Sequence, residues 1–239
     1  MSLEKHIDIF FKDLFIDNKI NFYDLWKSIY KNIYPEKNLD FNNIFTAIRI
    51  NKSFYLCKYF LHVNFLDGDI LECGVLRGFS AYLIRTLENK MSMNKINGYY
   101  LIDSFEGLSE IKPEDIPTNK NLKIHKKGEL KENIETVEKI FKNFQNVYIL
   151  KGWIPEVFKH LDENNKYKFV HLDVDLYKPT LDSLDYIFDK VVKGGVIITD
   201  DFQSPLFPGN QKAWKEYFDK KKINNWLALP SGQAVIIKD

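Results

Sequence analysis

The chain contains few of the residues from which disulfide frameworks, cysteine-based zinc sites and membrane spans are built. It has only two cysteines, Cys57 and Cys73, both in apolar stretches, which predicts small core residues of a protein from a reducing compartment. No stretch approaches the roughly 18 consecutive apolar residues of a membrane-spanning helix. The first residues also lack the apolar segment and cleavage site of a signal peptide. We therefore predict a cytoplasmic protein that has no membrane partner.

The chain also lacks an excess of charge of either sign. Lysine and arginine total 34 against 33 aspartate and glutamate residues, so the formal net charge is +1. This balance produces no field that would attract nucleic acid, and we expect a small-molecule substrate instead. Glycine and proline are scarce, at 11 and 8 residues, while 45% of the residues are hydrophobic. That composition predicts a globular fold rather than a disordered or fibrous chain.

Residues 1–66 carry apolar side chains at helical spacing. Phe22, Trp26 and Ile29 recur at intervals of three and four, and Pro35 interrupts the pattern. A further helix is predicted over residues 41–65. We predict a helical extension that packs on the rest of the chain, with a homodimer or higher homo-oligomer as the alternative use of this apolar surface.

From residue 67 to residue 239 strands alternate with helices, which is typical of a parallel sheet. A short link at residues 230–232 separates the last two strands, which should therefore be antiparallel. This pattern predicts a Rossmann-like α/β fold with a seven-stranded sheet of five parallel strands plus a terminal hairpin. The predicted strands are 69–73, 98–103, 147–150, 169–174, 195–199, 225–229 and 234–238. The predicted helices between them are 80–89, 130–144, 155–162, 179–192 and 211–221.

The segment 104–128 has no clear periodicity. Loops of this length inside a compact domain are often functional, as in a lid over a site. A solvated excursion explains the segment equally well, and both interpretations stay open.

A glycine-containing turn follows the first of these strands. The strand ends in Glu72 and Gly74, and Gly78 opens the next helix. In open α/β sheets a nucleotide-like cofactor lies at this turn, where residues without a Cβ let it approach the backbone. The spacing is not Gly-x-Gly-x-x-Gly, which weakens a dinucleotide interpretation, and a purely structural turn is the alternative. Asp103 ends the second strand, where an acid can bind both hydroxyls of a ribose.

Four aspartates end two neighbouring strands. Asp173 and Asp175 close the fourth strand, and Asp200 and Asp201 close the fifth. Their carboxylates would repel one another unless a hard divalent cation such as Mg²⁺ bound them. Asp173 and Asp175 face opposite sides of a regular strand. One division therefore places Asp173, Asp200 and Asp201 on the metal and leaves Asp175 as a base; helix capping is the alternative for single members.

Three further features are weaker. Gly152 allows close approach after the third strand, and the indole of Trp153 borders either an adenine or the core. His171, inside the fourth strand, is predicted to be a core histidine rather than a ligand. The turn at residues 207–209 is placed to border a substrate.

The sequence resembles the macrocin O-methyltransferase (TylF-like) family of class I S-adenosylmethionine-dependent methyltransferases. The resemblance extends from about Asp67 to the C-terminus and implies a metal-dependent O-methyltransferase, often acting on sugar hydroxyls. It implies that Mg²⁺ binds Asp173, Asp200 and Asp201 and that Asp175 is the general base. The motifs that carry it are 68–80, 103–108, 151–153, 171–180, 200–202, 204–209 and 232–238.

The resemblance also implies contacts with S-adenosylmethionine. Phe79 departs from the family, which more often has a second glycine there, and we expect this change to tighten the turn without abolishing binding. The N-terminal region is less similar to the family, so its substrate contacts cannot be carried over. The predicted cofactor-binding residues are Glu72, Gly74, Val75, Gly78, Ser80, Asp103, Ser104, Gly152 and Trp153.

Two other functions are alternatives to methyl transfer. An NAD-dependent nucleotide-sugar oxidoreductase or epimerase would carry Gly-x-Gly-x-x-Gly and usually a Tyr/Lys pair at helical spacing, and we find neither. A non-catalytic cofactor-binding partner has no need of the aspartates. The acceptor is predicted to be a polar sugar, either nucleotide-activated for a surface polysaccharide or part of a glycosylated natural product, with a non-sugar small molecule as the alternative.

Overall fold

A seven-stranded sheet forms the centre of the computed structural model, which describes residues 15–16, 20–37, 40, 43–91 and 98–239. The strand order is β5-β4-β3-β6-β7-β9-β8. The first five are parallel, and β9 is antiparallel to both β7 and β8. A separate antiparallel pair, β1 and β2, precedes the sheet. The strands are β1 (Phe15–Ile16), β2 (Ile20–Asn21), β3 (Asp69–Cys73), β4 (Tyr99–Asp103), β5 (Val147–Lys151), β6 (Tyr167–Leu172), β7 (Val191–Thr199), β8 (Trp226–Ala228) and β9 (Ala234–Ile237).

Six α-helices accompany these strands in the described part of the chain. Short 3₁₀ helices at Pro113–Asp115, Glu156–His160 and Phe188–Lys190 complete the regular structure. None of the described helices has both the length and the apolar composition needed to cross a bilayer. The α-helices are α1 (Phe22–Ile33), α2 (Ile44–His62), α3 (Phe79–Lys90), α4 (Ile134–Phe141), α5 (Tyr177–Ile187) and α6 (Pro208–Lys221).

The predicted seven-stranded sheet is confirmed, and several predicted boundaries are wrong. The predicted helix over 155–162 is only the 3₁₀ turn Glu156–His160. The predicted helix over 179–192 ends sooner, because the β-branched pair at 191–192 already belongs to strand β7. Helix α4 begins at Ile134 rather than near 130, because the side chain of Asn133 caps it and accepts a hydrogen bond from the Glu135 N–H.

Side chains of the central strands alternate between two apolar layers, one on each face of the sheet. Ile70 and Phe169 point to the face covered by α1, α2 and α3. Leu71 and Val170 point to the opposite face, against α5 and α6. Successive residues of a strand face opposite sides, so a strand buried on both faces has no polar side. All six residues of β6 are buried accordingly.

The described part of the N-terminal extension packs on the sheet. Phe60 of α2 meets Phe169 of β6 edge to face at 5.6 Å, and Trp26 of α1 meets Phe79 of α3 at 5.3 Å. Buried aromatic pairs of this kind add to the free energy gained from burial alone. The part of the predicted helical extension before residue 15 lies outside the described residues. The domain boundary at residue 67 and the homo-oligomer stay predictions.

The segment 104–128 is attached to the helices at the edge of the sheet. The buried carboxylate of Asp115 accepts hydrogen bonds from the N–H groups of Tyr177, at 2.6 Å, and Lys112, at 3.0 Å. The first of these bonds ties the segment to the start of α5. A lid function stays a prediction.

Candidate active site

A cavity of about 690 Å³ opens beside the carboxyl ends of the parallel strands. Its volume lies within the roughly 300–1,000 Å³ typical of small-molecule sites. The strand-end turns and helices α1 and α2 contribute to its lining. Of the predicted site residues, those that line it are Gly74, Val75, Ser80, Asp103, Ser104, Gly152, Trp153, Asp173, Asp175 and Asp200.

The turn after β3 depends on two glycines with left-handed backbones. The φ angle is +85° at Gly74 and +81° at Gly78. A Cβ at Gly74 would lie 1.8 Å from the carbonyl oxygen of Asp173, and one at Gly78 would lie 2.5 Å from the ring of Phe141. The prediction that missing Cβ atoms make room for a cofactor was therefore incomplete, because both glycines are required first by packing within the protein.

Asp103 connects this turn to the end of β4. Its Oδ2 accepts hydrogen bonds from the N–H groups of Val75, at 2.7 Å, and Leu76, at 2.9 Å. Its Oδ1 accepts one from the Phe105 N–H at 2.7 Å. A carboxylate offers about four lone-pair positions, so a free acceptor position remains. Contact with a ribose stays a prediction.

Glu72 lies beneath the cavity rather than in its lining. Its carboxylate is fully buried and accepts hydrogen bonds from the hydroxyls of Ser80, at 2.6 Å, and Tyr99, at 2.7 Å. These bonds join β3, α3 and β4 at the level of the turn. The structure thus gives Glu72 a supporting place, through Ser80, below the predicted cofactor site.

The aspartates after β6 and β7 come together at the carboxyl ends of these strands, where Asp173 also contacts Gly74. Carboxylate oxygens of Asp173, Asp175 and Asp201 lie within 4.8 Å of one another. Strand β6 ends at Leu172, and Asp175 has a left-handed backbone with φ of +58°. Because the chain turns there, Asp173 and Asp175 do not stand on opposite faces of a regular strand, the condition on which the predicted division of roles rested.

Asp200 has two partners that the sequence did not predict, a lysine ammonium group and a glutamine amide group. Lys52 Nζ on α2 donates to its Oδ2 at 2.8 Å, and Gln233 Nε2 donates to its Oδ1 at 2.8 Å. The same Lys52 Nζ lies 3.1 Å from Asp201 Oδ1. Asp200 is therefore held toward Lys52 and Gln233.

These contacts give the four acids different protonation properties. Burial raises the pKa of Asp173 and of Asp175 well above the ordinary carboxyl value, and the neighbouring aspartates raise both further. Burial is the largest single influence on Asp200 and acts to raise its pKa, but the charges and hydrogen bonds of Lys52 and His171 together outweigh it and leave that pKa below its usual range. The cluster thus contains both a firmly ionised acid and acids that hold protons more readily.

His171 lies between two carboxylates beneath the cluster. Its Nδ1 is 3.5 Å from Glu72 and its Nε2 is 3.6 Å from Asp200, distances at which charge attracts but hydrogen bonds are weak. Burial acts to lower the pKa of His171, whereas Asp200 and Glu72 raise it. The ring is buried, as the sequence predicted, but it also lines the cavity, and neither of its nitrogens has a hydrogen-bond partner among the described residues.

The donor chemistry of the cluster fits a divalent cation. Hard cations such as Mg²⁺ are bound by carboxylate oxygens, and three such residues converge here. A bound cation would also relieve the repulsion that raises the pKa of Asp173. Cation binding itself stays a prediction.

Comparison with known proteins identifies the family. A model of the family described as macrocin O-methyltransferase (TylF) matches residues 50–237. The chain belongs to this family. The match confirms the resemblance predicted from the sequence.

Two similar curated proteins come from actinobacterial species. Demethyldecarbamoylnovobiocin O-methyltransferase of Streptomyces niveus is 27% identical over 169 residues, which cover 69% of this chain and 63% of that protein. Mycinamicin III 3''-O-methyltransferase of Micromonospora griseorubida is 26% identical over 177 residues, covering 71% of this chain and 68% of that protein. The chain thus matches about two thirds of their length.

Solved structures of methyltransferases share the fold. The O-methyltransferase NovP superimposes with a TM-score of 0.68 at 23% identity, over 79% of this chain and 80% of that chain. The calicheamicin methyltransferase CalS11 gives a TM-score of 0.66 at 15% identity, over 95% and 96%. At these identities the likeness concerns the fold, and it confirms the predicted α/β methyltransferase sheet.

The N-terminal helices of this TylF family member supply a wall of the cavity that sequence reasoning did not assign. Trp26, Tyr30 and Tyr34 of this region line the cavity, with Trp26 and Tyr30 stacked at 5.3 Å. Lys37 and Arg49 line it as well, and Arg49 has no carboxylate within ion-pair distance among the described residues. Helical periodicity was the only signal for these residues, and it does not tell a core-facing aromatic from a cavity-facing one.

Proposed function

We propose that this chain is a metal-dependent O-methyltransferase that moves the methyl group of S-adenosylmethionine to a hydroxyl of a sugar. One observation carries the proposal: carboxylates of Asp173, Asp175 and Asp201 converge, and two of these residues, Asp173 and Asp175, line the cavity that the Gly74 turn also borders. The turn by itself would suit the NAD of a hydride-transfer enzyme as well as S-adenosylmethionine. Three converging carboxylates suit the binding of a cation and the removal of a hydroxyl proton, both of which the proposed transfer to oxygen would use.

The predicted cofactor residues would bind S-adenosylmethionine along the turn and the ends of β4 and β5. Asp103 would accept hydrogen bonds from the ribose, while Gly152 and Trp153 would border the adenine. Most of these residues line the cavity, which supports the assignment. Glu72 would act indirectly, by holding Ser80.

Asp175 is the proposed general base. The acceptor oxygen attacks the methyl carbon as the S–CH₃ bond breaks, so a neutral thioether leaves and needs no acid. The hydroxyl proton passes to the ionised form of Asp175, and the burial that raises its pKa makes this form a stronger base than an ordinary carboxylate. Holding the hydroxyl in line with the methyl group contributes much of the acceleration.

Asp173, Asp200 and Asp201 are the proposed metal-binding residues. A bound Mg²⁺ or other divalent cation would act as a Lewis acid that lowers the pKa of the acceptor hydroxyl. This division of roles is the one that the family resemblance implies, and the pKa of Asp200 is compatible with its place in it. Asp200, with its lowered pKa, stays ionised, whereas the pKa of Asp175 is raised.

The charges along the cavity wall favour a nucleotide-activated sugar as acceptor. Arg49 precedes Lys52 by about one helical turn on α2, so an acceptor reaching the cluster would bring neighbouring anionic groups near the guanidinium. Lys37 lines the same cavity, and Tyr34 offers an aromatic surface. Phosphate groups suit such cationic partners. A glycosylated natural product is the second candidate, because the relatives' names describe such acceptors.

The proposal is tested with the purified chain and labelled S-adenosylmethionine. Nucleotide sugars, uncharged glycosides and a non-sugar phenol are offered as acceptors, each with Mg²⁺ and with EDTA. Methylated nucleotide sugar is expected only with the cation. Thermal stabilisation by S-adenosylhomocysteine, but not by NAD, is expected in parallel. Stabilisation by NAD but not by S-adenosylhomocysteine would contradict the methyltransferase assignment. Full turnover in EDTA would contradict the proposed metal dependence.

A further inference from the structure

Lys52 brings a positive charge from the N-terminal extension into the acidic cluster. It lies 148 positions before Asp200 in the chain, yet Nζ is 2.8 Å from Asp200 Oδ2 and 3.1 Å from Asp201 Oδ1. Its side chain is only 19% exposed, and it lines the cavity. An ammonium group in this place differs from a surface lysine, whose ion pairs contribute little.

The backbone that presents Lys52 is held on both sides. The Ser53 hydroxyl donates to the Arg49 carbonyl at 2.7 Å and accepts a hydrogen bond from Trp26 Nε1 at 3.0 Å, which joins α2 to α1. Two turns further along α2, Phe60 packs against Phe169 of the sheet. These contacts fix the helix relative to the strand ends, so the position of the ammonium group is set by the fold rather than by the flexibility of its own side chain.

We infer that Lys52 is a positioning residue of the acidic site, an internal counter-cation that holds Asp200 and Asp201 in place in the cation-free protein. Four aspartates meet at this edge, and in the described residues Lys52 is the cation that contacts two of them directly. Removing one partner of a buried ion pair leaves an uncompensated charge, and this costs more than the pair itself contributes. The site is therefore assembled before a metal arrives, with α2 attached to it.

A second consequence follows if the proposed metal site exists, and this step rests on the proposed function. An ammonium group beside Asp200 and Asp201 repels a divalent cation bound by the same carboxylates. Lys52 therefore weakens the affinity for the cation while it stabilises the cation-free protein. A residue that only supported the fold would not have this effect, because its loss would leave the affinity unchanged or reduce it.

The test compares Lys52→Met and Lys52→Arg with wild type, with Lys58→Met as the matched control. Lys58 is an exposed residue of the same helix, six positions away and outside the cavity lining. Melting temperature is measured in EDTA and with Mn²⁺, and Mn²⁺ affinity is measured by calorimetric titration. Lys52→Met should melt several degrees lower than wild type in EDTA, recover with Mn²⁺ and bind Mn²⁺ about tenfold more tightly. Lys52→Arg, which keeps the charge, should resemble wild type in EDTA.

Unchanged melting of Lys52→Met in EDTA would overturn the inference, as would a lower Mn²⁺ affinity. If the methionine variant does not fold, Lys52→Gln carries the same comparison with a polar but uncharged side chain. A wild-type protein that binds no Mn²⁺ would refute the proposed metal site alone. The EDTA comparison would still test Lys52, through a double variant with Asp200→Asn whose destabilisation should be smaller than the sum of the two single effects.

Discussion

Gly74 lies directly against the backbone of Asp173, so that a Cβ at position 74 would stand 1.8 Å from the Asp173 carbonyl oxygen. The turn beside the predicted cofactor site and the start of the acidic cluster are therefore in contact through their backbones. The hydrogen bond from the Asp173 N–H to the Cys73 carbonyl, at 2.8 Å, reinforces this contact. The residues proposed to bind the cofactor and those proposed to bind the metal thus meet at one junction between β3 and β6.

Gly74→Ala should consequently damage both stability and the acidic cluster. The left-handed backbone and the clash together should lower the free energy of unfolding by roughly 3–5 kcal/mol, the upper range for single substitutions. Gly128→Ala is the matched control, because Gly128 has a similar φ of +81° and its nearest neighbour would be 3.8 Å from the new Cβ. It should cost about 1–2 kcal/mol. Urea denaturation measures the free energy of unfolding of both variants. Equal losses of stability would contradict a close contact between Gly74 and the backbone of Asp173.

Asp175→Asn should stop turnover and leave the cofactor affinity unchanged. Asparagine keeps the shape of the side chain but cannot take a proton, so kcat should fall by about 100- to 10,000-fold. Calorimetric titration of S-adenosylhomocysteine should give the wild-type dissociation constant, because Asp175 lies in the cluster rather than at the Gly74 turn. Asp185→Asn, at an exposed position of α5, is the control. Near-normal kcat in Asp175→Asn would remove it from the role of base.

The sheet and the meeting of the aspartates could be predicted because they depend on local patterns. Apolar strands that end in acids place those acids at one edge when the strands are parallel neighbours, and β6 and β7 are such neighbours. Boundaries were less predictable. Val191 and Val192 stand between Lys190 and Lys193 and fit either a helix end or a strand, so only strand pairing decides between them.

The contacts of the cluster could not be predicted, because they join distant parts of the chain. Nothing near Lys52 in the sequence marks it as a partner of Asp200, since only the packing of α2 on the sheet brings them together. The left-handed backbone at Asp175 was also unforeseen, because aspartate is compatible with several conformations. The packing constraint on Gly78 could not be predicted either, because its contact with Phe141 depends on where α4 packs.

Arg49→Gln should weaken binding of a nucleotide-activated acceptor selectively. Loss of a charge-assisted hydrogen bond to phosphate should raise the KM for the nucleotide sugar by about tenfold or more. The KM for S-adenosylmethionine and the melting temperature should not change, because Arg49 is exposed at the cavity wall. An uncharged glycoside of the same sugar provides the matched control, since its KM should be the same in both proteins. Equal effects on both acceptors would contradict an anionic acceptor.

The aspartates should differ in how much each contributes to cation binding. Asp173→Asn and Asp200→Asn should each weaken Mn²⁺ binding by at least about 10- to 100-fold, the loss typical even of residues that only support a metal ligand. Asp175→Asn should weaken it less, because Asp175 is proposed to accept a proton rather than to bind the cation. Calorimetric titration with EDTA-treated protein measures all three. In the competing outcome, Asp175→Asn loses Mn²⁺ affinity while Asp200→Asn keeps it. The ligands would then be the three carboxylates that lie within 4.8 Å of one another, those of Asp173, Asp175 and Asp201. In that case Asp200 would serve mainly as the partner of Lys52 and Gln233, and the base would have to be sought elsewhere in the cavity.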